Sequence, residues 1–312
     1  MEQLTVGIAI ALALGVTFLN GFTDAPNSIA TAVATGALSM RRACLVGAIF
    51  NLVGLVASLS VSMKVTQSVI DGANLENKRE IGVISILFTT VLFSALCWLF
   101  SMPSSESHAL LASLFGASFA ISGTVKINAA FVILAYMAVS CVGSFFVSCI
   151  TYKVLKGANF PWRRLQGISC ALSSAMHGSQ DGQKLVALFI FLYPAGESPP
   201  LIFPSLVVGT MLFLGTVLGG GRIIKTMGEG IAPLNEKSAF VSELSSGVCL
   251  GLMSALGWPV STSNIKACSV AGAGLCDGED VCYKTLVKMA LVAILTFPVC
   301  FAISYFVTTL LV

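Results

Sequence analysis

Two polar motifs each occur twice, in the same order, inside an otherwise oily chain. The first pair is Gly21-Phe22-Thr23-Asp24-Ala25-Pro26-Asn27 and Gly178-Ser179-Gln180-Asp181-Gly182-Gln183-Lys184. The second pair is Pro103-Ser104-Ser105-Glu106-Ser107-His108 and Pro259-Val260-Ser261-Thr262-Ser263-Asn264. Asp24 to Asp181 is 157 positions and Pro103 to Pro259 is 156, half of a 312-residue chain. Two unrelated motifs recurring at nearly one offset indicate an internal duplication. Each half places ionisable and hydroxyl groups among apolar residues. Such groups are costly in hydrocarbon and usually mark a transport pathway.

The apolar background decides the solvent. The chain is 56% hydrophobic and 10% charged, with a mean hydropathy of +0.93, whereas a soluble domain carries roughly 25% charge. About 20 apolar residues cross a bilayer as helix. Runs of that order fill Leu4–Asn20, Ala43–Met63, Ile81–Phe100, Ala129–Leu155, Pro199–Leu218, Phe240–Leu256 and Leu286–Val312. They are continuous, unlike the alternating short strands of a membrane barrel. The expected fold class is an all-α polytopic membrane protein, placed in the cell's inner (plasma) membrane. Met1-Glu2-Gln3 lacks the basic start of a cleavable signal peptide, so the first run is expected to be a retained helix. A formal charge of +3 argues for no nucleic-acid partner and no polybasic lipid anchor.

Ten cysteines suggest a disulfide framework, but most sit in or beside apolar runs and none forms a Cys-x-x-Cys pair. Buried cysteine behaves as a small hydrophobe. Cys276 and Cys282, flanking the acidic stretch Asp277–Asp280, are the one expected bridge.

The organisation reads as an N-terminal membrane repeat at 1–155, a connecting loop at 156–165 and a C-terminal repeat at 166–312. In each repeat a helix is expected to be interrupted at the Asp motif. Pro26 removes a backbone donor and disfavours helix at Ala25, and Gly21, Gly178 and Gly182 weaken helix. A broken helix inside a bilayer needs protein or a water-filled cavity to satisfy its freed groups. The second motif reads as a re-entrant hairpin or discontinuous helix. Small residues follow it, with Gly116 matching Gly272, and these let backbones approach closely. A helix that begins after Ser-Ser-x-Ser offers free N–H groups and a positive dipole end to an anion. Arg41-Arg42 and Arg163-Arg164 suggest cytoplasmic loops. An odd number of crossings per half would make the halves inverted.

The motif residues divide by charge. Asp24 and Asp181 suit a cation, such as Na⁺ if the coupling is to sodium. Asn27, Gln180 and Gln183 add neutral oxygens of the kind that hard cations prefer. Ser104, Ser105, Ser107, Ser261, Thr262 and Ser263 can donate to an oxyanion, with Lys184 and Lys266 near enough in sequence to add charge. Serines in membrane helices also bond back to their own helix, and lysines also snorkel to an interface. Glu106 stands where the other half has Thr262, and it is read either as a proton carrier or as a partner for Lys266. His108 and His177 both fall within or beside motifs and are read as titrating or as hydrogen-bonded structural groups. Glu243, near the start of an apolar run, has the headgroup region as one place to face.

At these residues the chain resembles the inorganic phosphate transporter (PiT) family, whose signature repeats read roughly Gly-Ala-Asn-Asp-x-x-Asn. Gly21–Asn27 and Gly178–Lys184 represent them here. The second half is especially similar at Gly220-Gly221-Arg222-Ile223-Ile224-Lys225-Thr226-Met227-Gly228, at Ala239–Leu244 and at Gly257–Ser263. Pro103–Leu110 resembles the first-half hairpin. The resemblance covers nearly the whole chain. It implies an inverted-repeat fold with discontinuous helices and two re-entrant hairpins, cation-coupled uptake of inorganic phosphate, and a homodimer. It implies a cation site drawn from Asp24, Asn27, Thr23, Asp181 and Gln183. The phosphate site would be drawn from Ser104, Ser105, Ser107, Ser261, Thr262, Ser263, Gln180 and Lys184. Three departures stand out. Thr23 and Gln180 replace the Asn before each Asp, which bears on ion stoichiometry. Asn264 stands where the family often has His. The large soluble insert of eukaryotic members is absent, as in a compact prokaryotic form.

The expected mechanism is alternating access, with Na⁺ or H⁺ as the transported coupling ion and no other cofactor. No Gly-x-x-x-x-Gly-Lys-Ser/Thr motif points to ATP. Ser263-Asn264-Ile265-Lys266 fits the Ser-x-x-Lys of some enzymes, but nothing else supports catalysis. A passive anion channel would show no cation dependence. The nearest rival is a permease for sulfate or another oxyanion. Phosphate keeps a proton near neutral pH and can donate it to Asp24 or Asp181. Sulfate has none to donate.

Overall fold

The computed structural model describes residues 2–75, 78–100, 104–193 and 200–312, and every regular element among them is helical. The first half holds α1 (Glu2–Leu19), α2 (Ala30–Ala34), α3 (Met40–Val61), α4 (Lys64–Gly72), α5 (Arg79–Leu99), α6 (Glu106–Ser122) and α7 (Ile127–Val154). The second holds α8 (Trp162–Ile190), α9 (Ile202–Leu218), α10 (Gly221–Glu229), α11 (Glu236–Leu256), α12 (Thr262–Asp277) and α13 (Tyr283–Leu311). Pro103 and Pro199 lie outside the described residues. Among those described, α3, α5, α7, α11, α13 and the segment Leu4–Ser28 are long and apolar enough to cross a membrane. The pair α9–α10, bent by 76° at its break, brings the number to seven when it is counted as one broken span. Side chains such as Phe131, Phe146, Ile150, Ile294 and Phe306 on α7 and α13 stay exposed, as a lipid-facing surface requires.

The duplication survives in three dimensions. Helices α10, α11, α12 and α13 begin 157, 157, 156 and 156 positions after α4, α5, α6 and α7. Gly116 of α6 lies against the Phe301 backbone of α13, and Gly272 of α12 lies against the Phe145 backbone of α7. The same two interfaces carry the same rung: Ser304 Oγ donates to Ser113 O at 2.8 Å and Ser148 Oγ to Ser269 O at 2.7 Å. A Cβ at either glycine would enter the facing backbone, so the small residue sets the helix spacing.

The two halves run in opposite directions. In the last turn of α5, the Trp98 ring lies 5.0 Å under the Arg222 guanidinium of α10, and α10 leads into the start of α11. Helix α11 ends at Gly257, whose carbonyl accepts from Ser68 Oγ of α4 at 2.7 Å, and α4 leads into the start of α5. Each of the two helices therefore starts where the other finishes, which makes the repeats inverted. After α5 and after α11 the chain turns back into the interior, where α6 and α12 begin.

Only one of the two Asp motifs breaks its helix. After α1 the chain makes a π turn at Asn20–Asp24 and a 3-10 turn at Ala25–Ser28, then resumes as α2. Pro26 has no N–H to give and cannot continue the ladder. The expected second break is absent, because α8 runs unbroken through Gly178–Lys184. Gln183 stands at the Pro26 position, so every donor is kept. Glycine alone costs a helix about 1 kcal/mol relative to alanine, and packing outweighs that. Gly178 lies against the Asn51 backbone and Gly182 against Leu55. The expected Cys276–Cys282 bridge is also absent: all ten cysteines are free, with Cys276 half-buried on α12 and Cys282 exposed.

Two apolar clusters frame a polar layer. Ala13 and Val16 of α1, Leu110 of α6 and Leu185–Phe189 of α8 belong to one. Ile29, Ala30 and Ala32 beyond the break, Met227 of α10 and Val270 of α12 belong to the other. Between them lie Asn20–Ser28, the 177–184 stretch of α8 and the first turns of α6 and α12. Helix α8 packs between α3 and α11, which keeps its polar stretch away from lipid.

Candidate functional site

The N-termini of α6 and α12 meet at the middle of the molecule. Their caps are pseudo-equivalent residues, and Ser261 Oγ donates to Ser105 Oγ at 2.8 Å. Ser261 also accepts from Asn264 N at 3.3 Å, capping α12. The first amides of any helix lack partners within it, so two positive dipole ends converge at this point. The extended backbone at Ser105 and Ser261 opens both helices inside the Ser/Thr motif itself.

The two Asp motifs deliver their carboxylates to these helix starts. Asp24 Oδ1 accepts from Asn27 Nδ2 at 2.6 Å and from Ser263 Oγ, and its Oδ2 accepts from Thr262 Oγ1 at 3.3 Å. Thr262 Oγ1 also lies 3.1 Å from Asp181 Oδ2, so one hydroxyl bridges both carboxylates. Asp181 is surrounded differently. Lys184 Nζ lies 2.5 Å from its Oδ1, His177 Nε2 lies 3.3 Å from its Oδ2, and Asn20 Nδ2 donates to Oδ2 at 3.3 Å. His177 is held from the other side by Asn51 at 3.0 Å. Asp24, His177 and Asp181 bring their ligand atoms within 4.8 Å of one another. All of these residues are buried.

The expected residues fall into three groups. Asp24, Asn27, Asp181, Ser107, Thr262, Ser263 and Lys184 are joined by hydrogen bonds and one ion pair, and the Ser105–Ser261 pair caps the two helices beside them. Thr23 and Ser104 stand beside this network. Thr23 donates to Glu106 Oε1 at 2.6 Å, and Ser104 lines a cavity of about 30 Å³ with Thr23, Asp24, Asn27, Glu106 and Ser263. Arg222 of α10 also lines that cavity. Gln180 and Gln183 face elsewhere. Gln180 Nε2 donates to Trp258 O at 2.7 Å, and Gln183 Oε1 accepts from Val65 N at 3.1 Å, steadying the start of α4. Their bearing follows from the unbroken helix. At about 3.6 residues per turn, positions one back and two on from Asp181 lie off its face, while His177 and Lys184 share it.

Several groups left open by sequence are now placed. Glu106 takes Thr23 and lies near Asp24, and Lys266 is not its partner. Lys266 Nζ donates to Thr31 Oγ1 at 3.0 Å, and Thr31 donates in turn to Glu243 Oε1 at 2.7 Å. Glu243 also accepts from Ser169 at 2.5 Å and is fully buried, away from the headgroup region. His108 sets its ring edge-on to Phe297 at 5.4 Å. Ser263 and Lys266, the Ser-x-x-Lys pair, bond to Asp24 and Thr31 respectively rather than to each other. Asn20 is not singled out by sequence as a site residue, and Arg222 enters there only within the family-like Gly220–Gly228 stretch. Asn20 occupies the first-half counterpart of His177, 157 positions earlier, and that offset was the available signal.

Comparison with known proteins follows the same duplication. Residues 20–161 and 156–304 each match the sequence profile of the phosphate transporter family. A Bacillus subtilis protein described as a probable low-affinity inorganic phosphate transporter is 29% identical, over 99% of this chain and 98% of its own. A Rhizobium meliloti protein of the same description is 33% identical, over 87% of this chain and 85% of its own. Among solved structures, one titled the sodium-dependent phosphate transporter superposes with a TM-score of 0.88 at 19% identity, covering 98% of both chains.

Proposed function

This chain belongs to the phosphate transporter family, and from that premise we propose that it carries inorganic phosphate together with a monovalent cation, Na⁺ or H⁺, by alternating access. It is a carrier rather than an enzyme, and it works as a homodimer, as the resemblance implies. The observation that carries the reading is the meeting of Ser105 and Ser261, which sets two helix N-termini beside two buried carboxylates.

The chemistry follows from those groups. An anion entering the polar layer faces Asp24 and Asp181 and would be repelled. Lys184 neutralises Asp181, whereas Asp24 has only neutral donors. A cation at Asp24, taking oxygens from Asn27, Ser263 and Ser104, removes the remaining charge. Phosphate is then held by the hydroxyls of Ser105, Ser107, Ser261, Thr262 and Ser263 and by the first amides of α6 and α12. Its own proton bridges to a carboxylate, a bond that sulfate cannot offer. The cavity beside Asp24 has room for about two waters, so passage of phosphate requires the repeats to rock apart. The related structure titled sodium-dependent supports the coupling, and its fold is that of this chain.

Orientation belongs to the same reading. Arg41, Arg42, Lys156, Arg163, Arg164, Lys237, Lys284 and Lys288 gather at one end of the helices, joined there by contacts such as Arg163 to Gly36 O and Lys237 to Lys156 O. The opposite end carries Lys64, Lys78, Arg79 and Lys126. The more basic end is cytoplasmic. The C-terminal residue then faces the exterior, because Lys78 Nζ reaches Val312 O at 3.3 Å.

The test is the initial rate of radiolabelled phosphate uptake into proteoliposomes, with Na⁺ and pH gradients imposed separately and excess sulfate present. Uptake stimulated by one gradient and indifferent to sulfate supports the reading. Uptake that no gradient alters, or that sulfate suppresses, overturns it.

A further inference from the structure

We infer that the Lys184 ammonium is a built-in cation. It fills the second-half member of a pair of pseudo-equivalent cation positions, so that Asp24 marks the single exchangeable one. The inference rests on the coupled-transport reading above and deepens it.

The pairing is residue by residue. Lys184 Nζ touches Asp181 Oδ1 at 2.5 Å, Ser107 Oγ at 2.5 Å and Val260 O at 2.7 Å. Subtracting the repeat offset of 157 turns Asp181 and Lys184 into Asp24 and Asn27. Applying 156 turns Ser107 into Ser263 and Val260 into Ser104. The first-half set is also assembled: Asn27 Nδ2 lies 2.6 Å from Asp24 Oδ1 and 3.1 Å from Ser263 Oγ, and Ser104 lines the same cavity. Each set draws its carboxylate from one repeat and one serine, Ser263 or Ser107, from the other. Three oxygens within 2.7 Å of one point, one of them a carboxylate, are what a small hard cation binds. In the second half that point is a nitrogen of the protein.

Two further observations separate the positions. An ammonium has three donors and no acceptor; Lys184 donates to Ser107 and Val260 and turns its remaining side to the paired Asp181 carboxylate. It has no donor left for phosphate, which turns the sequence expectation for this residue toward the cation side of the site. Space divides the same way. The cavity at Asp24 and Asn27 measures about 30 Å³, whereas the one at Asp181 and Lys184 measures about 10 Å³, at the lower limit for one water. Beside the neutral Asn27 amide of the first position there is room for about two waters, whereas the Lys184 ammonium fills the second.

The test is the number of cations moved per phosphate, read as net charge per radiolabelled phosphate in voltage-clamped proteoliposomes and as the Hill coefficient for the coupling cation. Lys184→Asn restores the second position, and both readouts rise by one over the wild type. An unchanged ratio in Lys184→Asn, whatever its rate, overturns the inference. The reverse variant, Asn27→Lys, covers the case in which Lys184→Asn does not fold. It fills the first position, and phosphate–phosphate exchange then proceeds without the cation. Exchange that still needs the cation, or a folded Asn27→Lys protein with no exchange, overturns the inference. Wild-type uptake with no cation dependence would instead sink the coupled-transport reading itself.

Discussion

Asp24 and Asp181 occupy equivalent places in the two repeats, yet changing each to asparagine should do different damage. Asp24 accepts from Asn27, Ser263 and Thr262, all neutral. Removing its charge strands no buried cation. It removes the charge that attracts one, worth about 4 kcal/mol at 4 Å and an effective dielectric near 20. At 1.4 kcal/mol per factor of ten, the cation affinity of Asp24→Asn falls about a thousandfold, with a small loss of stability. Asp181→Asn leaves the Lys184 ammonium, 2% exposed, without its carboxylate. Breaking one side of a buried pair costs about 3–5 kcal/mol. That variant therefore loses stability first, and Asp181→Asn combined with Lys184→Asn regains most of it. The assays are a cation titration of phosphate uptake in proteoliposomes and thermal unfolding of the detergent-solubilised protein. Equal losses of cation affinity at unchanged stability for both single variants would refute the argument. So would a double variant no more stable than Asp181→Asn.

Two other outcomes follow from the fold. Gly116→Leu drives a side chain into the Phe301 backbone of α13, and overpacking of a tight contact costs about 1–3 kcal/mol or more. Monodisperse protein should be lost on size-exclusion chromatography, and an unchanged profile would contradict the packing. Cys282 is exposed next to the start of α13, at the more basic end. A membrane-impermeant maleimide should label it in inside-out vesicles and not in intact cells, with the signal lost in Cys282→Ser. Labelling from the outside would reverse the orientation.

Much of this was legible in the sequence, and the exceptions have physical causes. The offset of 156 to 157 gave the duplication, because equivalent helices start at equivalent residues. Gly116 and Gly272 were read as close contacts, and each lies on a facing backbone. The break at Pro26 was readable because a missing N–H is a local fact. The unbroken α8 was not, because glycine only weakens a helix and the packing of Gly178 on Asn51 decides the outcome. That one difference carried consequences for the site. With α8 continuous, helical phase pairs Asp181 with His177 and Lys184 and turns Gln180 and Gln183 toward Trp258 and Val65. The contacts of Ser105 with Ser261 and of Asp24 with Ser263 join residues 156 and 239 positions apart, and no local pattern encodes them.

The most direct test of the central claim is concentrative transport by the purified protein. Proteoliposomes are loaded with phosphate equal to that outside, and a Na⁺ gradient or a pH gradient is then imposed. The account predicts that internal phosphate rises above the external level with one of these gradients, and that Asp24→Asn abolishes the rise. Phosphate that only equilibrates across the membrane, whichever gradient is applied, would contradict it.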